Sequence, residues 1–514
     1  MASGPGRWVA AVLVGAGWSW LAVLVALGLA GGPPSRPRFE AAGLAFGAGL
    51  VLVALAWAGR ADRPRARPTP WFVWALPAAA ALAAYGWTLA LGPLSDDFVL
   101  EASARRGDWT PEAWTFYRPV LLASWQALGG AGGWPLLHAL NVVLHAVNAA
   151  LAAALACGWL GAGPGLAAGL LVALFPAGVE AVAWASGAAD VLATCCVLTA
   201  ALVVQRTEAV PLAAAVASAA AVIGVGAKET AVVLPALLAL GALVVRPTRA
   251  QRAAVGAAGA SVFVLLLVRL ASSPAAATHL QQWPVDRRGW KDLLVKPFAG
   301  VAVPLRTTDG PGLDAFAGAA CLLALLAVVV VTALRGGRRG PDESAPAPAV
   351  SPLRMTAAGL GWTLAAALPL LTQFHVAPSL EGSRYLYLPA VGAALVLASA
   401  FAASGRWARG TAGAALVGLL AVYGLALARE RTAWQRAATT RDAVLTDAAR
   451  FVAAHRCAAL TIDGVPGDIE GVFVFRNGLR EALADLAYDR DGGGCVARWT
   501  ADARRLVPTP GPVP

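Results

Sequence analysis

The sequence predicts an all-α polytopic membrane protein of about thirteen transmembrane helices, followed by a small extracytoplasmic α/β domain. Two observations predict this class. Apolar residues make up 58% of the 514 residues and charged residues only 13%, whereas soluble domains average about 25% charged residues. The apolar residues also gather in runs of roughly 17–25 residues, the length of helix that crosses a hydrocarbon core about 30 Å thick.

The apolar runs place the predicted helices in order along the chain. The predicted spans are 8–31, 40–58, 71–92, 134–156, 164–178, 188–204, 210–226, 230–246, 253–272, 313–334, 355–374, 385–404 and 411–428. The first run resembles a signal peptide in its length and its early arginine. Because further spans follow it, we interpret it as an uncleaved first helix.

The basic residues predict how these helices are oriented. With the N-terminus in the cytoplasm, the arginine-containing loops 59–70, 246–252, 335–354 and 405–410 all lie on the cytoplasmic side, as the positive-inside rule requires. The net charge of +11 is therefore attributed to topology, and no nucleic-acid partner is predicted. Loop 273–312 is the exception, because it is basic and yet falls on the outer side, where its charges could serve a ligand. The predicted location is a bacterial inner (plasma) membrane.

Four segments follow from this topology. They are N-terminal transmembrane helices (1–92), a first large external loop (93–133), the remaining transmembrane core (134–428) and the extracytoplasmic α/β domain (429–514). Within the last segment, the predicted elements are helices at 431–455 and 479–488 and strands at 457–464, 471–478 and 494–499.

Cys457 and Cys495 are the only cysteines that lie neither in a predicted span nor at the end of one. An extracytoplasmic compartment is oxidising, so the two are candidates for a disulfide, with two free thiols as the alternative. The other four cysteines lie in or at the ends of spans and are interpreted as packing residues. No CxxC motif or His/Cys cluster indicates zinc. We predict no metal site, with a divalent cation as the open alternative.

The stretch "LSDDFVLEASARR" (94–106) opens the external loop with two adjacent carboxylates, Asp96 and Asp97. The residues that follow predict a short interfacial helix, which would hold both carboxylates near the lipid head groups. A carboxylate in this position is a candidate general base, and the sequence by itself leaves open which of the two acts.

A polar stripe lies on the predicted helix "HALNVVLHAVNA". His138, Asn141, His145 and Asn148 are spaced by three, four and three residues, which places them on one helix face. The stripe either lines a polar cavity or forms interhelical hydrogen bonds. The second interpretation is favoured for His145 and Asn148, while both stay open for His138.

Further ionisable residues occur in or beside the spans, where they are costly and become functional candidates. Glu180 and Asp190 lie in "ALFPAGVEAVAWASGAADVL", whose centre is predicted at the outer face. Glu180 is either a second acid of the site or a helix cap. Lys228, in "GAKETAVVLP", either binds a phosphate or pairs with Glu229 or with neighbouring acids.

The stretches "EGSRYLYLP" and "FYRP" add Arg384, Tyr385 and Arg118 to the same predicted outer layer. Tyrosine at the interface is a common membrane anchor, whereas an arginine between interfacial aromatic residues also fits a lipid phosphate. The candidate substrate-binding residues are Arg118, His138, Asp190, Lys228, Arg384 and Tyr385.

Carboxylates beside cations at the outer leaflet suit the transfer of a sugar from a lipid phosphate. Cations would stabilise charge that develops on the phosphate, and a carboxylate would take the proton of the attacking hydroxyl. Neither a GxxxxGK[ST] loop nor a GxGxxG loop after a strand is present. One alternative is a transporter or flippase of lipid-linked sugars, which needs no base but should show two repeated halves. Another is a membrane scaffold that presents the tail domain.

The ordered set "SDDF…YRPV…HALNVVLHAVNA…LFPAGVEAVAWASGAADVLA…KETAVVLP…SRYLYLP" resembles the membrane portion of GT-C glycosyltransferases. It is most similar to the transmembrane O-mannosyltransferases that carry TPR repeats and to their bacterial relatives. The resemblance covers about residues 90–390. It departs from that pattern after the last span, where residues 429–514 replace the TPR array, so the acceptor (protein, glycan or lipid) stays open.

The resemblance implies a polyprenyl- or dolichyl-phosphate-linked sugar as donor and an acidic residue of the first external loop as catalytic base. That role falls on Asp97 first and Asp96 second, and Glu180 becomes a candidate second acid. Contacts to the donor phosphate are implied for Arg118, Lys228 and Arg384.

Overall fold

The computed structural model describes residues 69–109, 118–272, 290–308, 310, 312–334, 350–370, 375–402, 406–486, 488–489 and 492–509. The predicted spans 8–31 and 40–58 lie outside these residues. Each of the other eleven predicted spans overlaps a helix, which confirms the all-helical character of the apolar part of the chain.

The helices follow the apolar runs, and short 3₁₀ turns separate several of them. The α-helices are α1 (Trp71–Tyr85), α2 (Asp96–Arg105), α3 (Pro119–Leu160), α4 (Ala162–Ala173), α5 (Val179–Ala183), α6 (Ala188–Arg206), α7 (Val210–Ala227), α8 (Leu234–Val244), α9 (Arg249–Ser272), α10 (Trp290–Ala302), α11 (Leu313–Leu334), α12 (Pro352–Ala367), α13 (Tyr387–Ala398), α14 (Arg406–His455) and α15 (Leu479–Ala484). The 3₁₀ turns are Gly86–Ala90, Pro176–Gly178, Ala185–Gly187, Glu229–Val233, Leu368–Leu370, Ser383–Leu386 and Ser399–Ala402.

Not every predicted span is a straight, full-length helix. The described residues contain eight helices long and apolar enough to cross a membrane, or nine if the pair Ala162–Ala173 and Pro176–Ala183 counts as one span. That pair is bent by 52° next to Pro176, which has no amide hydrogen to continue the helix. The predicted span 230–246 corresponds to a shorter apolar helix, Glu229–Val244.

Two helices run past their predicted boundaries. Helix α14 continues without interruption from Arg406 to His455, although we predicted a span at 411–428 and a separate helix in the tail. Its sequence contains no proline, and its last glycine is Gly424, so nothing stops the helix where the apolar run ends. Helix α3 likewise begins at Pro119 rather than at 134 and is kinked at Gly133.

The C-terminal part contains a small mixed sheet. Strands β1 (Ala459–Asp463), β4 (Gly494–Thr500) and β5 (Arg505–Pro508) lie in the order β1-β4-β5, whereas β2 (Asp468–Ile469) pairs separately with β3 (Val472–Phe473). Strand β4 is parallel to β1 and antiparallel to β5. The predicted strand 471–478 is thus limited to Val472–Phe473, and β5 was not predicted. Cys457 and Cys495 form a disulfide with 5.6 Å between their Cα atoms.

One hydrophobic cluster joins this part of the chain to the ends of the membrane helices. It includes Leu94 and Trp184 from the helical part and Val474, Phe475 and Trp499 from the C-terminal part. Removing apolar surface from water favours this contact by roughly 25 cal/mol for each Å². The C-terminal part is therefore packed directly onto the residues that follow α1.

The α3 polar stripe (His138, Asn141, His145 and Asn148) fixes the position of neighbouring backbone. All four side chains are buried. Each bonds a carbonyl oxygen outside α3: His138 Nε2 to Gly92 at 3.1 Å, Asn141 Nδ2 to Trp184 at 2.7 Å, His145 Nε2 to Ala173 at 3.0 Å and Asn148 Nδ2 to Val191 at 2.9 Å. Because a carbonyl can only accept, each nitrogen is the donor. His145 and Asn148 thus form interhelical hydrogen bonds, the interpretation that the sequence favoured for them.

Asn141→Ala should lower the free energy of unfolding, because it removes the buried amide that donates to the carbonyls of Val182, Trp184 and Ala185. We expect a loss of about 1–2 kcal/mol, measured by thermal or denaturant unfolding of the purified protein in detergent. Val143→Ala is the matched control on the same helix, since Val143 is 54% exposed. An equal loss in both variants would contradict the role given to Asn141.

Candidate functional site

The candidate site is built on a stretch where two helices are interrupted. Between α4 and α6 the chain passes through two 3₁₀ turns and the short helix α5, and we call residues 174–191 the broken segment. A Cβ atom at Gly187 would lie 2.2 Å from the carbonyl oxygen of Ala181. Only glycine allows the chain to fold back this closely at Gly187. The turn places Glu180, Ser186 and Asp190 on a short stretch of backbone.

Three ion pairs lie beside the broken segment, and we call them the ion-pair cluster. The pairs are Glu180 with Arg384 (2.7 Å), Asp190 with Lys228 (2.5 Å) and Glu229 with Arg118 (3.4 Å). Asp190, Glu180 and Lys228 are all buried. Three positive and three negative charges therefore balance one another, as buried charges require.

Glu180 is held by both of its oxygens. One accepts a hydrogen bond from the Arg384 guanidinium at 2.7 Å, and the other accepts from the Arg384 backbone N–H at 3.0 Å. This bidentate contact fixes the start of the turn Ser383–Leu386 against α5. Glu180 thus lies in the candidate site, as the sequence predicted, but both oxygens of its carboxylate accept hydrogen bonds from Arg384.

Aromatic rings connect the pairs with one another. The Arg384 guanidinium lies 4.8 Å from the Trp184 ring centre and 5.2 Å from that of Tyr385. The ammonium of Lys228 lies 5.5 Å from the same Tyr385 ring. Cations over aromatic faces are attracted electrostatically, so Tyr385 brings two cations from separate loops to one place.

Asp97 is fully buried in the first turn of α2. Its Oδ2 accepts from the Leu94 N–H at 2.9 Å, and its Oδ1 accepts from the Ser186 N–H at 2.8 Å and from the Ser186 hydroxyl. Burial raises the pKa of this carboxyl to about 7, although the hydrogen bonds from Ser186 and Leu94 oppose the rise. The side chain ties α2 to the broken segment.

Asp96 has different surroundings from Asp97. It is only partly buried, and its Oδ1 accepts a hydrogen bond from Asn477 Nδ2 at 2.6 Å. The residue before it, Ser95, has a φ of 47°, a left-handed conformation that is uncommon outside glycine. The two adjacent carboxylates therefore face different parts of the molecule, with Asp96 on the side of the C-terminal part.

The aspartates and the ion-pair cluster are joined through two residues of the broken segment. Trp184 donates its indole N–H to the Leu94 carbonyl at 2.9 Å and packs against Arg384. Ser186 bonds Asp97. The carboxylate pair and the cations are thus parts of one connected site.

The structure brings together most of the residues singled out from the sequence. Those that meet in or beside the ion-pair cluster are Arg118, Glu180, Asp190, Lys228, Arg384 and Tyr385. His138 does not join them, because its ring bonds the Gly92 carbonyl in the segment between α1 and α2.

Three further residues of the site were missed. Trp184 and Ser186 lie in the motif "ALFPAGVEAVAWASGAADVL". Their polar groups close to Gly187, a residue that favours turns, could have indicated that they belong to the site. Asn477 gave none, because it lies 381 positions from its partner Asp96.

In the described part of the basic loop 273–312, Arg306 is hydrogen-bonded to residues of two other segments. Arg306 forms two hydrogen bonds to the Glu430 carboxylate, at 2.7 and 2.6 Å, and a third to the Glu470 carbonyl at 2.5 Å. Arg306 therefore ties the residues that follow α10 to α14 and to the C-terminal part.

Within the described ranges, no group of three or more His, Cys, Asp or Glu side chains is placed to hold a metal ion. The carboxylates of the site instead accept hydrogen bonds from arginine, lysine, asparagine, serine or backbone N–H groups.

Comparisons with known proteins give a distant structural likeness. No protein-family model matches the chain, and no curated protein matches it. Among solved structures, a similar chain is that of ArnT from Cupriavidus metallidurans bound to undecaprenyl phosphate, with 13% identity and a TM-score of 0.47 over 84% of this chain and 94% of that chain. At this identity and TM-score, no functional conclusion follows from the likeness.

Asp97 should make stability depend on pH. Because its folded pKa is about 7 and its ordinary value is 3.8, the folded protein binds this proton more tightly than the unfolded chain does. The resulting stabilisation is complete below the ordinary value and is lost as pH rises through the folded value. We expect the melting temperature in detergent to fall between about pH 4 and pH 7, and to fall less in Asp97→Asn.

The control for this measurement is Asp485→Asn, because the Asp485 carboxylate is 77% exposed. This variant should keep the wild-type slope of melting temperature against pH. If Asp97→Asn also keeps that slope, the proton bound on folding is not at Asp97.

Proposed function

We propose that the chain is a glycosyltransferase that moves a sugar from a polyprenyl-phosphate-linked donor to a hydroxyl group of an extracytoplasmic acceptor. One observation carries this proposal: the partly buried carboxylate of Asp96 adjoins Asp97, which the broken segment connects to the cations of the ion-pair cluster beside the apolar helices. A lipid phosphate is held at the membrane surface, where such cations can meet it. A base for the acceptor hydroxyl is needed in the same place.

The cations can bind the phosphate without giving up their partners. A guanidinium carries five N–H donors and an ammonium three. Arg384 and Lys228 can therefore donate to a phosphate oxygen while each keeps its carboxylate. Negative charge develops on the donor phosphate as its bond to the sugar breaks, and fixed cations stabilise that charge without having to reorganise. In this proposal Glu180 and Asp190 orient the cations, and Arg118 extends the cationic edge.

Asp96 is proposed as the general base. The family resemblance placed Asp97 first and Asp96 second, but a base must come within about 2.6–3.2 Å of the proton it removes. Both oxygens of Asp97 accept hydrogen bonds from the protein, and the side chain is fully buried. Asp96 is the more accessible of the two. Asp97 is assigned the role of holding the turn that presents Asp96.

The proposed reaction is a single displacement at the anomeric carbon of the donor sugar. The acceptor oxygen forms a bond to that carbon, and the bond from the carbon to the phosphate oxygen breaks. Asp96 takes the proton of the acceptor hydroxyl, and polyprenyl phosphate leaves with the electron pair. The resemblance to O-mannosyltransferases makes mannose the first sugar to test. Protein, glycan and lipid acceptors are all to be tested.

Substitution of the two aspartates should have unequal effects. We expect Asp96→Asn to lower kcat by about 10²–10⁴-fold, because the base is lost. Asp97→Asn keeps one acceptor oxygen and should lower kcat by about tenfold or less. Both are measured as release of polyprenyl phosphate and appearance of glycosylated acceptor with purified protein.

The outcomes of this assay separate the alternatives. If the larger loss occurs in Asp97→Asn, the base role returns to Asp97. If both variants work at the wild-type rate, neither carboxylate is the base. If the wild type moves intact lipid-linked sugar across liposomes without cleaving it, the protein is a transporter.

Arg384 should contribute to binding of the donor phosphate. We expect Arg384→Gln to lower kcat/KM for the donor by about 10- to 100-fold, the effect of losing one charge-assisted hydrogen bond. Because this variant leaves Glu180 buried without its partner, the double variant Glu180→Gln/Arg384→Gln is measured beside it. Inhibition by free polyprenyl phosphate should weaken in both. Arg429→Ala is the control, since Arg429 is 64% exposed.

The product-inhibition measurement decides this assignment. Unchanged inhibition by polyprenyl phosphate in the double variant would remove Arg384 from the phosphate site, even if the rate of transfer fell.

A further inference from the structure

We propose that Asn477, in the C-terminal part of the chain, is a positioning residue for Asp96. The side chain would hold the carboxylate of the base in one orientation, so that the C-terminal part completes the catalytic site. This inference rests on the proposed function, and in particular on the role of Asp96.

Reciprocal hydrogen bonds join the two segments. Asn477 Nδ2 donates to Asp96 Oδ1 at 2.6 Å, and the Asn477 backbone N–H donates to Ser95 Oγ at 3.2 Å. In the other direction, the Ser95 N–H donates to the Val474 carbonyl at 2.9 Å. Three hydrogen bonds between residues so far apart in sequence define one geometry for the aspartate turn.

The aspartate turn needs this support because of its backbone. Ser95 has a φ of 47° and a ψ of −113°, a conformation that costs free energy for any residue with a side chain. Such a residue keeps its conformation only where its surroundings impose it. The hydrogen bonds from residues 474–477 do so directly before the two aspartates.

The backbone next to Asn477 also allows the close approach of the two segments. Gly478 has a φ of 80°, and a Cβ atom there would lie 2.4 Å from the Ser95 carbonyl oxygen. A larger residue at Gly478 would therefore push the two segments apart. Beside this approach, the rings of Phe98 and Phe475 stack with centres 6.1 Å apart.

Other contacts hold the C-terminal part in place independently of Asn477. Arg476 pairs with Glu381 at 2.6 Å, and the buried Arg441 of α14 donates to the carbonyls of Leu91 and Pro93 at 2.6 and 2.7 Å. Loss of the Asn477 amide alone should therefore leave the two parts docked. Its effect can be separated from a general loss of docking.

The chemical consequence is that one carboxylate oxygen of Asp96 is fixed by a neutral donor. A rotatable carboxylate held at one oxygen presents the other in a defined direction, which lowers the cost of placing it against the acceptor hydroxyl. The donor phosphate is contacted elsewhere, by the ion-pair cluster. Loss of Asn477 should therefore affect kcat more than the KM for the donor.

The test compares Asn477→Ala, Asn477→Asp and the control Arg476→Ala in the transfer assay. We expect about a tenfold loss of kcat in Asn477→Ala with little change in donor KM. Asn477→Asp has the same shape but no N–H₂ donor and adds a like charge, so its loss should be larger. Arg476→Ala removes a docking contact of the same segment but touches neither aspartate, and should stay within about twofold of wild type.

A double-mutant cycle distinguishes positioning of Asp96 from a purely structural role of Asn477, because a structural role would cause the same loss whether or not Asp96 is present. In an Asp96→Asn background, Asn477→Ala should cause no further loss of the residual rate, because the group that it positions is gone. A full additional loss in that background would overturn the proposal, and so would wild-type kcat in Asn477→Ala. Equal losses in Asn477→Ala and Arg476→Ala would assign the effect to docking and overturn it as well.

Failure of the proposed function has a different signature. If the wild-type protein transfers no sugar from any polyprenyl-phosphate donor tested, the proposed function fails and this inference with it. If the wild type is active and Asn477→Ala is equally active, only the role of Asn477 is overturned.

Discussion

The hydrogen bonds from the α3 polar stripe to the backbone around the broken segment are the constraint on which the candidate site depends. A helix that stops among apolar neighbours leaves carbonyl groups without donors, and in hydrocarbon each such group costs several kcal/mol. Here Asn141 and His145 supply donors to the Trp184 and Ala173 carbonyls, directly where regular helix is interrupted. Irregular backbone can therefore persist beside the apolar helices, and with it the short turns that carry charged side chains.

Once the broken segment is fixed, the charges on it need partners. Burying a lone charge is very unfavourable, whereas a paired and hydrogen-bonded charge is tolerated. Glu180 and Asp190 meet this requirement with Arg384 and Lys228, which arrive from different loops. The pairing explains how a polar site is stable beside so much apolar surface. In the proposed function a phosphate would enter a group whose charges already balance, so the spare donors of each cation, rather than a net positive charge, would have to attract it.

Sequence reasoning worked where the physical cause was local, and failed where it was not. Apolar runs predict helices, because an apolar run long enough to cross a bilayer has few other structures available to it. The spacing of the α3 polar stripe likewise predicted that its four residues lie on one face of the helix. The continuation of α14 to His455 was missed, because hydropathy marks where a run leaves the apolar region and not where a helix ends. The contact between Asn477 and Asp96 depends on the packing of two distant segments. No pattern in either segment predicts it.

The different surroundings of Asp96 and Asp97 could not be predicted from the sequence for a related reason. Successive residues on a helix point about 100° apart, so two adjacent carboxylates in the first turn of α2 cannot have the same surroundings. Asp97 faces the broken segment, where Ser186 and Leu94 take up both of its oxygens. Asp96 faces the C-terminal part and Asn477. The pair thus has two different surroundings: one carboxylate fixes the turn to the membrane helices, and the other, the base of the proposed reaction, lies at the boundary with the C-terminal part.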